Sequence, residues 1–217
     1  MENDLSKIRY HNLDALKFFA IIIICFHHYQ QSTGVKFNEI NFYFGRFYFG
    51  YLVELFFILS GFVIGLGSKN NPSISFKSFL GKRIIRLYPM CILSTLLVLV
   101  ISIMRKVFLH DKINFGLWYW FCAFLNLRVK VILPNNPLWY ISVLILCYII
   151  YYCILFFSKK YNINENYFFL LVILLGIIIK NKNIQLSLFD SQCARGYICF
   201  FGGGLYSRRL IFHLINY

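Results

Sequence analysis

Hydrophobic and polar positions alternate along the chain in long blocks, with apolar runs of membrane-spanning character separated by short polar, mostly basic stretches. Roughly 20 apolar residues carry a helix across a hydrocarbon core. The blocks predict a first span from about Leu13 to Tyr29, a polar loop from Gln30 to Arg46, and a second span from about Phe47 to Gly67. A third is expected from Leu87 to Met104, and a short aromatic fourth near Phe115 to Leu127. A fifth follows from Leu138 to Phe157, a sixth from Tyr167 to Ile179, and a seventh from Tyr197 to Tyr206, interrupted by Gly202, Gly203 and Gly204.

Ser68 to Arg86 joins the second and third spans and holds Lys69, Lys77, Lys82, Arg83 and Arg86 without an acid. Its second half, SFKSFLGKRIIRLYP, has an apolar face of Phe76, Leu80, Ile84 and Leu87, the pattern of a helix lying on the membrane. Pro89 is expected in the first turn of the third span or at a break before it. Such uncompensated positive charge places the loop, and hence the N-terminus two spans earlier, in the cytoplasm. The loop with Arg105, Lys106 and Lys112 then falls outside, which that rule disfavours; either the fourth segment is re-entrant or the rule is weak here.

Composition agrees: 59% of residues are hydrophobic, 20% aromatic and 14% charged, which no soluble surface accommodates. The fold class expected is an all-α polytopic membrane protein of about six to seven transmembrane helices with one cytoplasmic interfacial helix. The net charge of +14 is spread through short loops, which suits anionic headgroups, and no nucleic-acid-binding motif accompanies it. The seven cysteines have neither CxxC nor zinc-ligand spacing and read as small buried hydrophobes; no metal is implied. The first apolar run carries Asp14 and Lys17 and lacks a cleavage site, so it is not a cleavable signal peptide.

Ionisable residues at bilayer depth are costly and mark function by default. Lys17 and His28 are eleven residues apart, so at ~100° per residue they fall on nearly one helical face, ~16 Å apart along the axis, with His27 turned ~80° away. Glu54 lies roughly a third of the way into the second span. Each has a plainer reading: His28 as an interfacial residue, His27 as packing, Lys17 snorkelling to the interface, and Glu54 as an ion-pair partner. Asp14 can cap the helix or pair with Lys17, and Ser60-Gly61 suits close helix packing rather than nucleophilic chemistry.

Four segments in order resemble the acyltransferase 3 family of bacterial integral membrane acyltransferases. LDALKFFAIIIICFHH resembles its first helix, which carries a basic residue before a histidine, matched here by Lys17 and His28. VELFFILSGFVI resembles the second-span signature, with Glu54 at the acidic position. FLGKRIIRLYP resembles the basic segment with paired arginines, Arg83 and Arg86, and NPLWYISVLILCY the later tryptophan-bearing helix, with Leu144 where many relatives have glutamate. The resemblance implies a single transmembrane domain over 1–217, incomplete at its C-terminus relative to the family norm.

It further implies transfer of an acyl group, usually acetyl, from cytoplasmic acyl-CoA to a hydroxyl of a cell-envelope glycan, in the bacterial inner membrane. His28 would be the general base, Lys17 and Glu54 its polar partners along the conduit. Arg83 and Arg86 would hold the CoA phosphates, or else serve only as a positive-inside anchor. The partners are then membrane lipids, acyl-CoA and the glycan acceptor. The competing classes are a permease for a polysaccharide or small solute, which buried charges and glycine-interrupted spans also suit, and an inactive fragment.

Overall fold

The computed structural model describes residues 11–36, 41–43, 45–68, 75–110, 116–124, 136–184, 186 and 189–215. They form seven α-helices: α1 (His11–Thr33), α2 (Leu52–Ser68), α3 (Phe76–Leu109), α4 (Leu117–Phe124), α5 (Trp139–Tyr161), α6 (Glu165–Lys182) and α7 (Ser191–Ile215). Short 3-10 turns at Phe49–Tyr51 and Asn136–Leu138 lead into α2 and α5. Among the described residues the only β-type pairing is one isolated bridge between Leu186 and Phe189. The chain is an all-α membrane protein. Among the described residues three segments are long and apolar enough to cross a bilayer by themselves, Phe49–Gly67, Phe76–Leu109 and Trp139–Tyr161. The runs expected as first, sixth and seventh spans are helical but carry the ionisable and polar residues that dilute them: Asp14 and Lys17 in α1, Glu165, Lys180 and Lys182 in α6, Arg195, Arg208 and Arg209 in α7.

The chain divides into two compact units, Met1–Pro72 with Cys199–Tyr217, and Ser73–Ile198. In the first, α2 packs against the second half of α7 through glycines. A Cβ built on Gly61 would stand 1.9 Å from the Phe200 carbonyl oxygen, one on Gly203 2.2 Å from that of Ile58, and one on Gly65 1.9 Å from Ser207 Oγ. The two backbones therefore touch, the small-xxx-small arrangement of membrane helices. The interruption expected at Gly202 to Gly204 is absent; α7 runs through them as one helix, and Gly203 lies against the backbone of Ile58. Ile58 meets Gly203 and Phe62 meets Tyr206, so α2 and α7 run parallel.

In the second unit α3 is a single helix of 34 residues with Pro89 inside it. The separate surface helix expected over 75–89 is instead its N-terminal continuation. Proline removes one N–H and leaves the carbonyl of Ile85 without its helical donor, but both residues face outward, where the carbonyl can tilt away. The uncharged stretch 87–104 is ~27 Å long as helix, close to the ~30 Å of a hydrocarbon core.

Packing of α3 on α5 settles the sense of the chain between them. Phe76 and Phe79 meet Tyr152, Phe79 also stacks on Tyr151, and Arg83 approaches Tyr148, so rising numbers on α3 meet falling numbers on α5. The helices are antiparallel, and α5 returns to the face from which α3 started. The fourth segment cannot then be a full span. Its described helix, α4, has eight residues, ~12 Å, and packs Trp120, Cys122 and Ala123 on Val98 and Leu99 of α3. α6 returns along α5, Phe169 stacking on Tyr151, and Gly176 receives Ala194 and Tyr197 of α7.

Candidate functional site

α1 presents its packed side along Ala20, His27 and Gln30, all fully buried. Lys17 and His28 lie along one edge of that side and are half-buried. The expected common stripe is thus present in the helix, at the margin of the packed face rather than at its centre.

The two adjacent histidines are treated differently. His27 is 1% exposed, and its Nδ1 donates to the carbonyl oxygen of Phe42 at 2.9 Å. A carbonyl only accepts, so this nitrogen carries the proton. The other ring nitrogen faces Gly50, where an added Cβ would lie 3.0 Å from Nε2. The rings of Tyr43 and Tyr48 meet His27 at 5.1 and 4.8 Å between centroids. His28 instead donates Nδ1–H to Gln31 Oε1 at 3.0 Å, one turn along the same helix. That bond also leaves Nε2 with the basic lone pair, on an imidazole that is only half enclosed.

Gln30 completes the arrangement. It is 0% exposed, its Oε1 accepts from the backbone N–H groups of Phe42 (2.5 Å) and Tyr43 (2.9 Å), and its Nε2 donates to Asn41 Oδ1 at 3.3 Å. A buried amide without such partners costs ~1–3 kcal/mol. Here it acts as a template for the segment that follows α1, aided by the stack of Phe26 on Phe42. Gln30, expected to open a polar loop, therefore belongs to the last turns of α1. The sequence held a usable signal in HHYQQ, which sets each histidine three positions before a glutamine, within reach on a helix. Tyr43, Tyr48 and Gly50 carry no such local signal, because they meet His27 across a loop.

Glu54 stands in the first turn of α2, half-buried, four residues after Gly50. It shares the His28 end of the first unit, whereas Lys17 lies ~16 Å down α1. Arg83 and Arg86 belong to the second unit. Arg83 lies over the Phe79 ring, 3.8 Å from its centroid, and donates to the Phe79 carbonyl at 2.6 Å, with the Tyr148 ring 5.4 Å away. Arg86 is exposed. Of the cysteines, Cys91, Cys122, Cys147 and Cys193 are buried, while Cys25 and Cys153 are exposed and Cys199 lies between. Among the described residues no three His, Cys, Asp or Glu side chains converge as metal ligands do. Leu144 is buried in α5.

The family model of the acyltransferase 3 family, described as an acyltransferase domain, matches residues 10–216. No curated protein and no solved structure matches the chain.

Proposed function

The chain belongs to the acyltransferase 3 family, and from that premise we propose that it is a membrane O-acyltransferase moving an acyl group, acetyl in the first instance, from acyl-CoA to a hydroxyl of a cell-envelope glycan. The observation that carries the assignment to a residue is the state of His28: half-enclosed, oriented by Gln31, with Nε2 as the basic nitrogen. A sugar hydroxyl becomes a competent nucleophile when a base takes its proton, and imidazole titrates close enough to neutrality to do so. In this reading His28 Nε2 accepts that proton as the hydroxyl oxygen bonds to the thioester carbonyl carbon. The C–S bond breaks, and the proton passes to the departing CoA thiolate. Glu54 supports the same end of the site, and Lys17 polarises the path along α1. His27 is committed to Phe42 and stays out of the chemistry.

Arg86, exposed at the start of the apolar stretch of α3, is the proposed contact for the CoA phosphates, because guanidinium pairs bidentately with phosphate oxygens. Arg83 contributes from a more fixed position over Phe79. The face bearing these groups is proposed to be cytoplasmic. Lys77, Lys82, Arg83, Arg86, Lys159 and Lys160 share it, against Arg105, Lys106, Lys180 and Lys182 at the far ends of α3 and α6. With the N-terminus cytoplasmic, as the order of expected spans has it, His28 at the other end of α1 lies toward the outer leaflet of the inner membrane, where an exported or lipid-linked glycan is within reach. A permease drew support from a seventh span broken at glycines, and α7 is unbroken.

The test is to express the chain in a strain making its source glycan and to look for O-acetyl resonances by NMR. Signals from the wild-type chain that vanish with His28→Ala support the reading. Equal acetylation by both would remove His28 from the chemistry.

A further inference from the structure

Rings line up at the His28 end of α1. His28 meets His27 edge-on at 5.4 Å, His27 meets Tyr48 at 4.8 Å and 89°, and Tyr48 meets Tyr51 at 5.2 Å and 70°. Tyr43 closes the group, 5.1 Å from His27 and 6.1 Å from Tyr48. Tyr48 is 46% exposed and Tyr51 57%. Exposed tyrosines on membrane proteins usually form the belt at the headgroup level. Two features here go beyond a belt. The segment bearing Tyr43 and Tyr48 is fastened from beneath by Gln30 and His27, two buried polar side chains spent on the backbone of Phe42 and Tyr43. A belt residue needs no such fixing. The fastened rings are also continuous with the imidazole that the acyl-transfer reading makes the base.

A pyranose ring has an apolar C–H face and a rim of hydroxyls. Tyrosine matches it with an apolar, electron-rich face and a hydroxyl at its edge. We propose that Tyr48 and Tyr51, backed by Tyr43, form a subsite for one sugar ring of the acceptor, set so that a hydroxyl of that ring faces His28 Nε2, and that His27 and Gln30 are positioning residues for it. The identification of the bound sugar as an acceptor rests on the acyl-transfer reading; the existence of the subsite does not.

Saturation-transfer NMR on the full chain in detergent micelles tests this, with methyl β-glucopyranoside and methyl β-galactopyranoside as probes and sorbitol as an acyclic control. The expected result is transfer to the ring C–H protons of the pyranosides and weak transfer to sorbitol. Tyr48→Phe keeps the aromatic face but loses the hydroxyl and weakens binding less than Tyr48→Leu does. Tyr48→Leu weakens binding roughly tenfold, the scale of losing one aromatic contact at ~1.4 kcal/mol per decade. Gln30→Met, which leaves every tyrosine in place, weakens it as well, and Gln30→Glu, which keeps the accepting oxygens, recovers part of the loss. Tyr51→Leu repeats the test if Tyr48→Leu does not fold. Equal signals for sorbitol and pyranosides, or wild-type binding by both leucine variants, would overturn the subsite and leave a membrane belt. Pyranoside binding with no acyl transfer by the wild-type chain would instead overturn the acyl-transfer reading alone.

Discussion

Adjacent glycines on α7 should respond oppositely to the same substitution. At Gly203 an added methyl group would stand 2.2 Å from the carbonyl oxygen of Ile58 and 2.9 Å from its carbon, with backbone rather than a flexible side chain on the other side. Real Cβ atoms do not approach closer than 3.0 Å, so α2 and α7 must separate by most of an ångström. A radial gap of ~0.5–1 Å forfeits a quarter to a half of each dispersion contact along the seam. Overpacking a close interface typically costs ~1–3 kcal/mol. Gly202→Ala meets nothing within 4 Å and gains ~1 kcal/mol of helix propensity. Less the same ~1 kcal/mol of propensity, overpacking leaves up to ~2 kcal/mol, so in a thermal-unfolding assay of the detergent-solubilised chain Gly203→Ala should fall by up to ~8 °C below the wild type, and Gly202→Ala should match or exceed it. Gly61→Ala, whose methyl would stand 1.9 Å from the Phe200 carbonyl, should behave like Gly203→Ala, and Gly67→Ala, in open space, like Gly202→Ala. Indistinguishable melting of the Gly202 and Gly203 variants would refute the backbone contact and with it the parallel pairing of α2 and α7.

Further outcomes follow from the same geometry. Gln31→Ala frees the Nδ1–H of His28 from its acceptor and should slow transfer about fivefold, the worth of ~1 kcal/mol, with acyl-CoA KM unchanged in steady-state kinetics. Arg86→Ala should raise the KM for acyl-CoA about tenfold or more through a lost charge-assisted bond and leave the acceptor KM alone, whereas Arg83→Ala, which also strips a cation–π contact from Phe79, should lower thermal stability as well. In a background without the native cysteines, His110→Cys and Pro137→Cys should react with a membrane-impermeant maleimide from the same side, and Asn162→Cys from the other. Labelling of the first two from opposite sides would mean that the segment between α3 and α5 crosses the bilayer.

The sequence carried the class of the protein and the register of α1, because both depend on local periodicity. Lys17 and His28 fall where the helical repeat puts them. What lay beyond it were relations between distant segments. Arg105, Lys106 and Lys112 signalled a conflict over the fourth segment, but charge alone could not choose between a weak rule and a segment that does not cross. The pairing of Phe79 with Tyr151, 72 positions later, makes the choice. The glycines at 202–204 looked like a break because their partners, Ile58 and Gly61, are remote in the chain. Pro89 looked like a boundary because the pattern changes there, although the helix tolerates it on an outward-facing turn. The difference between His27 and His28 likewise depends on Phe42 and Gly50, which no helical periodicity brings to mind.

The central claim is that this chain transfers acyl groups through His28. Its most direct test uses membrane vesicles containing the full chain, supplied with acetyl-CoA labelled in the acetyl group, and measures label incorporated into the glycan fraction. The account predicts incorporation by the wild-type chain, a loss of ~10²–10⁴-fold in His28→Ala, the usual contribution of a general base, and substantial retention in His27→Asn, which keeps a donor for the Phe42 carbonyl. Incorporation by His28→Ala at the wild-type rate would contradict it.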